Sequence, residues 1–110
     1  MLRGYIPVRK NNLPEQFEIE LAGATYILGI NYNETHDSFT VDLYTVDLES
    51  IVLGEACVLN ERLWVDIVDE RIPPIDIVPM DESKKAKFLT FENFMESVFL
   101  HIDDVEEVRP

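Results

Sequence analysis

The sequence predicts an all-β protein, a single small domain in which an antiparallel β-meander closes into a barrel or a sandwich. Three observations carry that expectation: apolar residues in the first half recur at every second position, polar clusters separate the alternating runs, and prolines punctuate an isoleucine-rich segment of the second half. A chain of 110 residues, 46% of them apolar, suits one core and is too short for two. Residues 1–110 are therefore read as one β domain, with 1–12 as an N-terminal arm and 103–110 as an acidic tail.

Each element follows from local pattern. Phe17, Ile19 and Leu21 alternate with Gln16, Glu18 and Glu20, and Ala22–Gly23 supplies a hairpin turn into a strand from Thr25 to Tyr32. There Tyr26, Leu28, Ile30 and Tyr32 line one side. The polar run Asn33 to Ser38 turns the chain into a third strand, with Phe39, Val41 and Leu43 inward and Thr40, Asp42 and Tyr44 outward. A further turn at "DLES" leads into Ser50 to Leu59, where Gly54 marks a bulge or a close backbone approach. Four strands of this kind need a second layer to close a core.

The second half is less regular. "NERLWVDIV" reads as a strand or as a loop anchored by Leu63 and Trp64. In "RIPPIDIVPMD", Arg71 to Asp81, three prolines rule out helix interior and central strand, because proline lacks an N–H and fixes φ. That segment is read as an edge or rim, a non-pairing crossover whose prolines discourage strand addition. "DESKKAKF" is an exposed turn. Phe91, Phe94, Met95, Val98, Phe99 and Ile102 fall at helical spacing behind Thr90 as N-cap, while Ser97 to Ile102 also reads as a strand. Periodicity leaves a helix from Thr90 to Ile102 and a short helical turn near 90–96 followed by a strand both open.

Charge narrows the function. Twenty-two acidic residues against nine basic ones give a formal charge of −13, which opposes phosphate-binding surfaces, so nucleic acid and anionic membranes are not expected partners. No lysine or arginine occurs between Lys10 and Arg62, while ten acidic residues accumulate there. That half is either a solvated acidic face or a docking surface for a basic neighbour. Cys57 alone allows no intrachain disulfide, and no signal-peptide h-region or spanning apolar run is recognised, so a reducing cytoplasm is the expected place of folding.

Chemistry finds little to work with. His36 and His101 stand apart without HxH or HExxH spacing, the serines lack a GxSxG elbow, and the glycines form no phosphate loop. Acidic groups such as Asp66, Asp69 and Glu70 do not follow the calcium-loop pattern. Cys57 reads as a small buried hydrophobe. No enzyme activity, no cofactor and no metal are expected.

The order "LPEQFEIELAGATYILGINYNETHDSFTVDLYTVD", "LGEACVLNERLW" and "RIPPIDIVPMDESKKAKFLTFENFMESVFLHI" resembles small phage and prophage proteins similar to the baseplate plug of a contractile-tailed cyanophage. The resemblance spans Pro7 to Ile102 and implies an all-β structural component of the virion tail baseplate, assembled in the bacterial cytoplasm and contacting hub and spike subunits. It also implies a turn at "ENFMES" followed by a strand.

On that reading Trp64, Ile72, Pro73, Pro74, Ile75, Ile77, Val78 and Pro79 form the apolar contact, with the acidic first half as its electrostatic complement and a homo-oligomer as one possible assembly. Equally, Ile75 and Ile77 could cap the open end of the domain's own barrel. The alternative function is a small cytosolic β-barrel that binds a ligand or peptide, with Tyr26, Tyr32 and Phe39 lining a pocket.

Overall fold

The structure is a computed structural model that describes residues 2–103, and its seven strands form two antiparallel sheets. In chain order they are β1 (Leu2–Ile6), β2 (Glu15–Leu21), β3 (Ala24–Asn33), β4 (Ser38–Thr45), β5 (Ser50–Ala56), β6 (Asp76–Asp81) and β7 (Val98–Asp103). The larger sheet is the expected meander, β2-β3-β4-β5, and the smaller is ordered β1-β7-β6. No strand pairing joins the two among the described residues, so the protein is a sandwich and the barrel alternative is not realised.

Turn chemistry sets the meander's register. Ala22 and Gly23 both take positive φ, 52° and 84°, which is the two-residue turn whose twist matches the flanking strands. β2 and β3 then pair without interruption from Glu15↔Ile30 to Leu21↔Ala24. At the next turn the Asn33 side chain accepts the Thr35 amide at 3.0 Å. Tyr32 Oη donates to Asp37 Oδ1 at 2.7 Å, and that hydrogen bond, with lesser help from burial and charge, pushes the phenol up to about 12. Gly54 is a bulge, as its position suggested. Its φ is +71°, the β4–β5 register shifts beside it, and its N–H donates to Asp42 Oδ1 at 2.7 Å.

Alternation delivers one face of each sheet to a shared core. Leu28, Ile30, Phe39, Val41 and Leu43 from the meander meet Ile6, Ile77 and Leu100 from the smaller sheet, all at 1% exposure or less. Each such side chain contributes roughly 1.5–3 kcal/mol of transfer free energy. At one end the rings of Phe39 and Phe94 pack 4.4 Å apart, joined by Tyr32 and Phe91.

Several expectations are corrected. The fourth strand stops at Ala56 rather than Leu59, because Cys57 leaves the ladder after donating its N–H to Phe39 O. "RIPPIDIVPMD" is not wholly a non-pairing crossover: Asp76–Asp81 pairs with β7 over six positions. It is nonetheless an edge, and backbone parity explains how it accommodates Pro79. The carbonyls of Ile77 and Pro79 accept from Leu63 and Asn60 of the neighbouring loop, so these two residues direct their backbone groups away from β7. The N–H that proline lacks belongs on the side where β7 does not need it.

The helix from Thr90 to Ile102 is not formed. Thr90 and Asn93 exchange side chain to backbone hydrogen bonds in the manner of a capping box, and Phe94 N–H reaches Thr90 O at 3.0 Å. Met95 then takes φ +65°, the chain reverses, and β7 begins at Val98. The turn implied at "ENFMES" is therefore made with methionine where glycine would be the easier residue. The N-terminal arm supplies β1, paired with β7, and the expected acidic tail lies, beyond Asp103, outside the described residues.

Candidate functional site: the loop between the sheets

The long connection from Cys57 to Ile75 carries most of the residues singled out from the sequence. It is a loop anchored by Leu63 and Trp64, at 5% and 4% exposure. Three backbone donors tie it to the strands, and others brace it internally. Asn60 N–H reaches Pro79 O and Leu63 N–H reaches Ile77 O, while Trp64 N–H donates to Glu55 Oε2 at 2.7 Å and Ile67 N–H to Trp64 O at 3.1 Å. Trp64 itself adopts φ +62°, an uncommon conformation for so bulky a residue, and its indole N–H is buried without a hydrogen-bond partner among the described residues. Strained backbone of this kind persists only where its surroundings over-determine it, and it concentrates at binding sites.

Trp64, Ile72, Pro73, Pro74 and Ile75 line one open hollow of about 200 Å³, together with Arg62, Leu63, Val65 and Asp76. So the structure brings together five of the eight expected contact residues. Trp64 and Pro73 are buried in its floor, Ile72 and Ile75 are half-buried and pack against the core, and Pro74 is exposed. Ile77 and Pro79 are buried in the domain's own core, and half-buried Val78 lies on the opposite face of β6. Beside the hollow, Val65, Ile67 and Val68 are 48%, 40% and 102% exposed, an apolar ridge that sequence reasoning missed. Its signal was available in "WVDIV", where apolar residues continue past Trp64 at no periodicity that a strand or helix of the core would use.

Charged pairs rim the patch. Arg62 Nη1 stands 3.7 Å from Asp76 Oδ2, and Arg71 binds Asp69 in bidentate fashion at 2.8 and 3.1 Å. The Arg71 hydrogen bonds hold the Asp69 carboxyl down at about 2. Tyr26 Oη, donating to Arg71 O at 2.9 Å, fixes the loop against the meander. An apolar centre with a polar rim is the anatomy of a protein contact.

Of the other sequence candidates only Tyr32 and Phe39 meet. Phe39 is fully buried with its ring 4.8 Å from that of Tyr32, Tyr32 lines an open hollow of about 480 Å³ with Leu13 and Phe91, and Tyr26, bound to Arg71 O, is not among that hollow's lining residues. His36 lies in an exposed turn, whereas His101 is buried at 4% exposure between Tyr5 and Phe99, on the outer face of the smaller sheet. Burial pushes the Cys57 thiol up to about 12, assisted by the charge of Glu55, so it is no thiolate at neutral pH. Among the described residues no group of three or more His, Cys, Asp and Glu is placed to hold a metal ion, and no helix is long and apolar enough to cross a membrane.

Sandwich, strained loop and rimmed apolar patch together define a small β protein that carries an exposed apolar patch on the loop between its sheets. Residues 3–106 match the family model described as "Cyanophage baseplate Pam3 plug gp18", nearly the whole chain. The chain belongs to that family, one of structural proteins of the phage tail baseplate. No curated protein and no solved structure matches it.

Proposed function

We propose that the protein is a plug-like subunit of a tail baseplate, acting by assembly with hub or spike subunits and without catalysis. The observation that carries the reading is the apolar ridge of Val65, Ile67 and Val68 beside the Trp64 hollow, on a chain of this family. Exposed Pro74 and half-buried Ile72 and Ile75 extend the contact, and the rim pairs Arg62–Asp76 and Asp69–Arg71 limit its register. The buried members of the expected set, Trp64, Pro73, Ile77 and Pro79, support the patch from below.

Mass spectrometry of purified tail particles tests the assignment, together with pull-down by the neighbouring hub protein. The wild-type chain is expected in the particles, and Val68→Asp or Ile67→Asp is expected to cut incorporation about tenfold or more while the isolated protein stays folded. A protein absent from purified tails overturns the reading. A gel-filtration profile shared by wild type and Val68→Asp separates loss of a heterologous contact from loss of self-association.

A further inference from the structure

Two sheets expose four strand edges, and three of them are obstructed. β1 is broken by a register shift between Leu2 and Gly4. β5 carries the Gly54 bulge and two register shifts. β6 contains Pro79 and is sealed by the amides of Asn60 and Leu63. β2 has none of these features: its seven residues pair with β3 in continuous register, and among the described residues no loop backbone group bonds to its backbone, the loop before it touching only its first side chain, where Glu15 accepts from the Arg9 amide and guanidinium. Proteins ordinarily blunt such an edge.

The backbone groups on that edge can be identified. A two-residue turn of this type makes Leu21↔Ala24 a hydrogen-bonded pair, and alternation directs Ile19 and Phe17 toward β3 as well. The N–H and C=O groups of Gln16, Glu18 and Glu20 therefore point outward. Their side chains are exposed on one face of the edge, while Phe17 and Ile19 are half-buried on the other.

We propose that the open edge of β2 receives an extended strand of another baseplate protein, one that alternates basic and apolar residues, by main-chain pairing. The inference rests on the baseplate reading above. Basic side chains of the incoming strand would stand opposite Glu18 and Glu20, and apolar ones would cover Phe17 and Ile19. Charge selects the partner: Arg9 pairs with Glu15 at the start of the strand, but among the described residues Glu18 and Glu20 form no ion pair, and no lysine or arginine lies between Asn11 and Glu61. A second copy fits poorly: antiparallel self-pairing centred on Glu18 would set that carboxylate against its own counterpart.

Amide hydrogen exchange tests the proposal, carried out within purified tails, then quenched, dissociated and read by NMR. The amides of Gln16, Glu18 and Glu20 are expected to exchange freely in the isolated chain and to be protected in the tail, with Phe17 and Ile19 protected in both. Glu18→Pro removes one outward N–H and is expected to lower incorporation about tenfold, the effect of roughly one lost hydrogen bond to a buried partner. Glu18→Gln keeps the N–H and should incorporate almost normally, with a weaker dependence on salt. Fast exchange of the three amides in tails that contain the protein overturns the edge assignment and leaves the baseplate reading intact, even where Glu18→Pro fails to fold. Absence of the chain from the tails overturns both.

Discussion

The two sheets of the sandwich are assembled in different ways. The meander joins neighbours in the chain through turns of a few residues, whereas the smaller sheet gathers β1, β6 and β7 from both ends of the described chain. Local pairing is written into local pattern, and pairing across some ninety residues is not, since it depends on what remains uncovered once the meander has formed. The smaller sheet is thus specified by the core it completes.

The strongest test of that dependence is the ring contact that links the halves. Phe39→Ala in β4 is expected to cost about 3–5 kcal/mol in chemical denaturation, from lost transfer energy and the cavity left behind. Phe94→Ala should cost a similar amount, and the double variant should lose less than the sum, by about 0.5–1.5 kcal/mol of coupling. Strict additivity would show that the two regions are energetically separate despite their contact.

A smaller effect sharpens the meander alone. Leu48 is 57% exposed and holds φ +64° in the β4–β5 turn, so Leu48→Gly should relieve strain and raise stability by about 1 kcal/mol, read as a shift in the denaturation midpoint. A loss there would mean that Leu48 makes contacts which outweigh its backbone conformation.

Asp81, at the exit of β6, probes the smaller sheet. Its carboxylate accepts from Ser83 Oγ and from the amides of Ser83, Lys85 and Ala86, and these bonds hold its pKa below the ordinary 3.8. A group depressed on folding stabilises the native state above its unfolded pKa and ceases to do so as pH falls through the folded one. The melting temperature of wild type should therefore decline below about pH 4, and Asp81→Asn should show a lower melting temperature at neutral pH with a flatter acid decline. The least change is expected from Asp69→Asn, which removes an exposed pair that solvent screens. Its melting curve should nearly overlay that of wild type.

Legibility followed the same division. Phe17, Ile19, Leu21, Phe39, Val41 and Leu43 disclosed their faces because alternation is a local property, and Gly54 disclosed its bulge because glycine alone takes that φ at little cost. β1 gave no such signal: "LRGYI" is five residues with a glycine inside, and its place is decided by β7. The stretch from Thr90 to Ile102 carried helical spacing because Phe91, Phe94, Met95 and Ile102 do reach one core, by way of a reversal at Met95. For the interaction site, composition located the region but not the surface. Which isoleucines face inward depends on the parity of β6, and that parity is set by the Asn60 and Leu63 hydrogen bonds of a loop whose path no local pattern describes. Val65, Ile67 and Val68 were passed over because exposed apolar residues in a loop have no period to betray them.

The sealing of β6 by its neighbouring loop also bears on growth. A sheet that can be extended at both of its edges propagates, and identical units bearing complementary edges polymerise into filaments. Here the smaller sheet ends at a proline-bearing strand under a hydrogen-bonded cover, and the larger sheet ends on one side at a bulge. A ladder that reaches this molecule through β2 has no regular strand from which to continue. On the proposed pairing at β2, the molecule would accept one strand and pass none on, ending the ladder that reaches it.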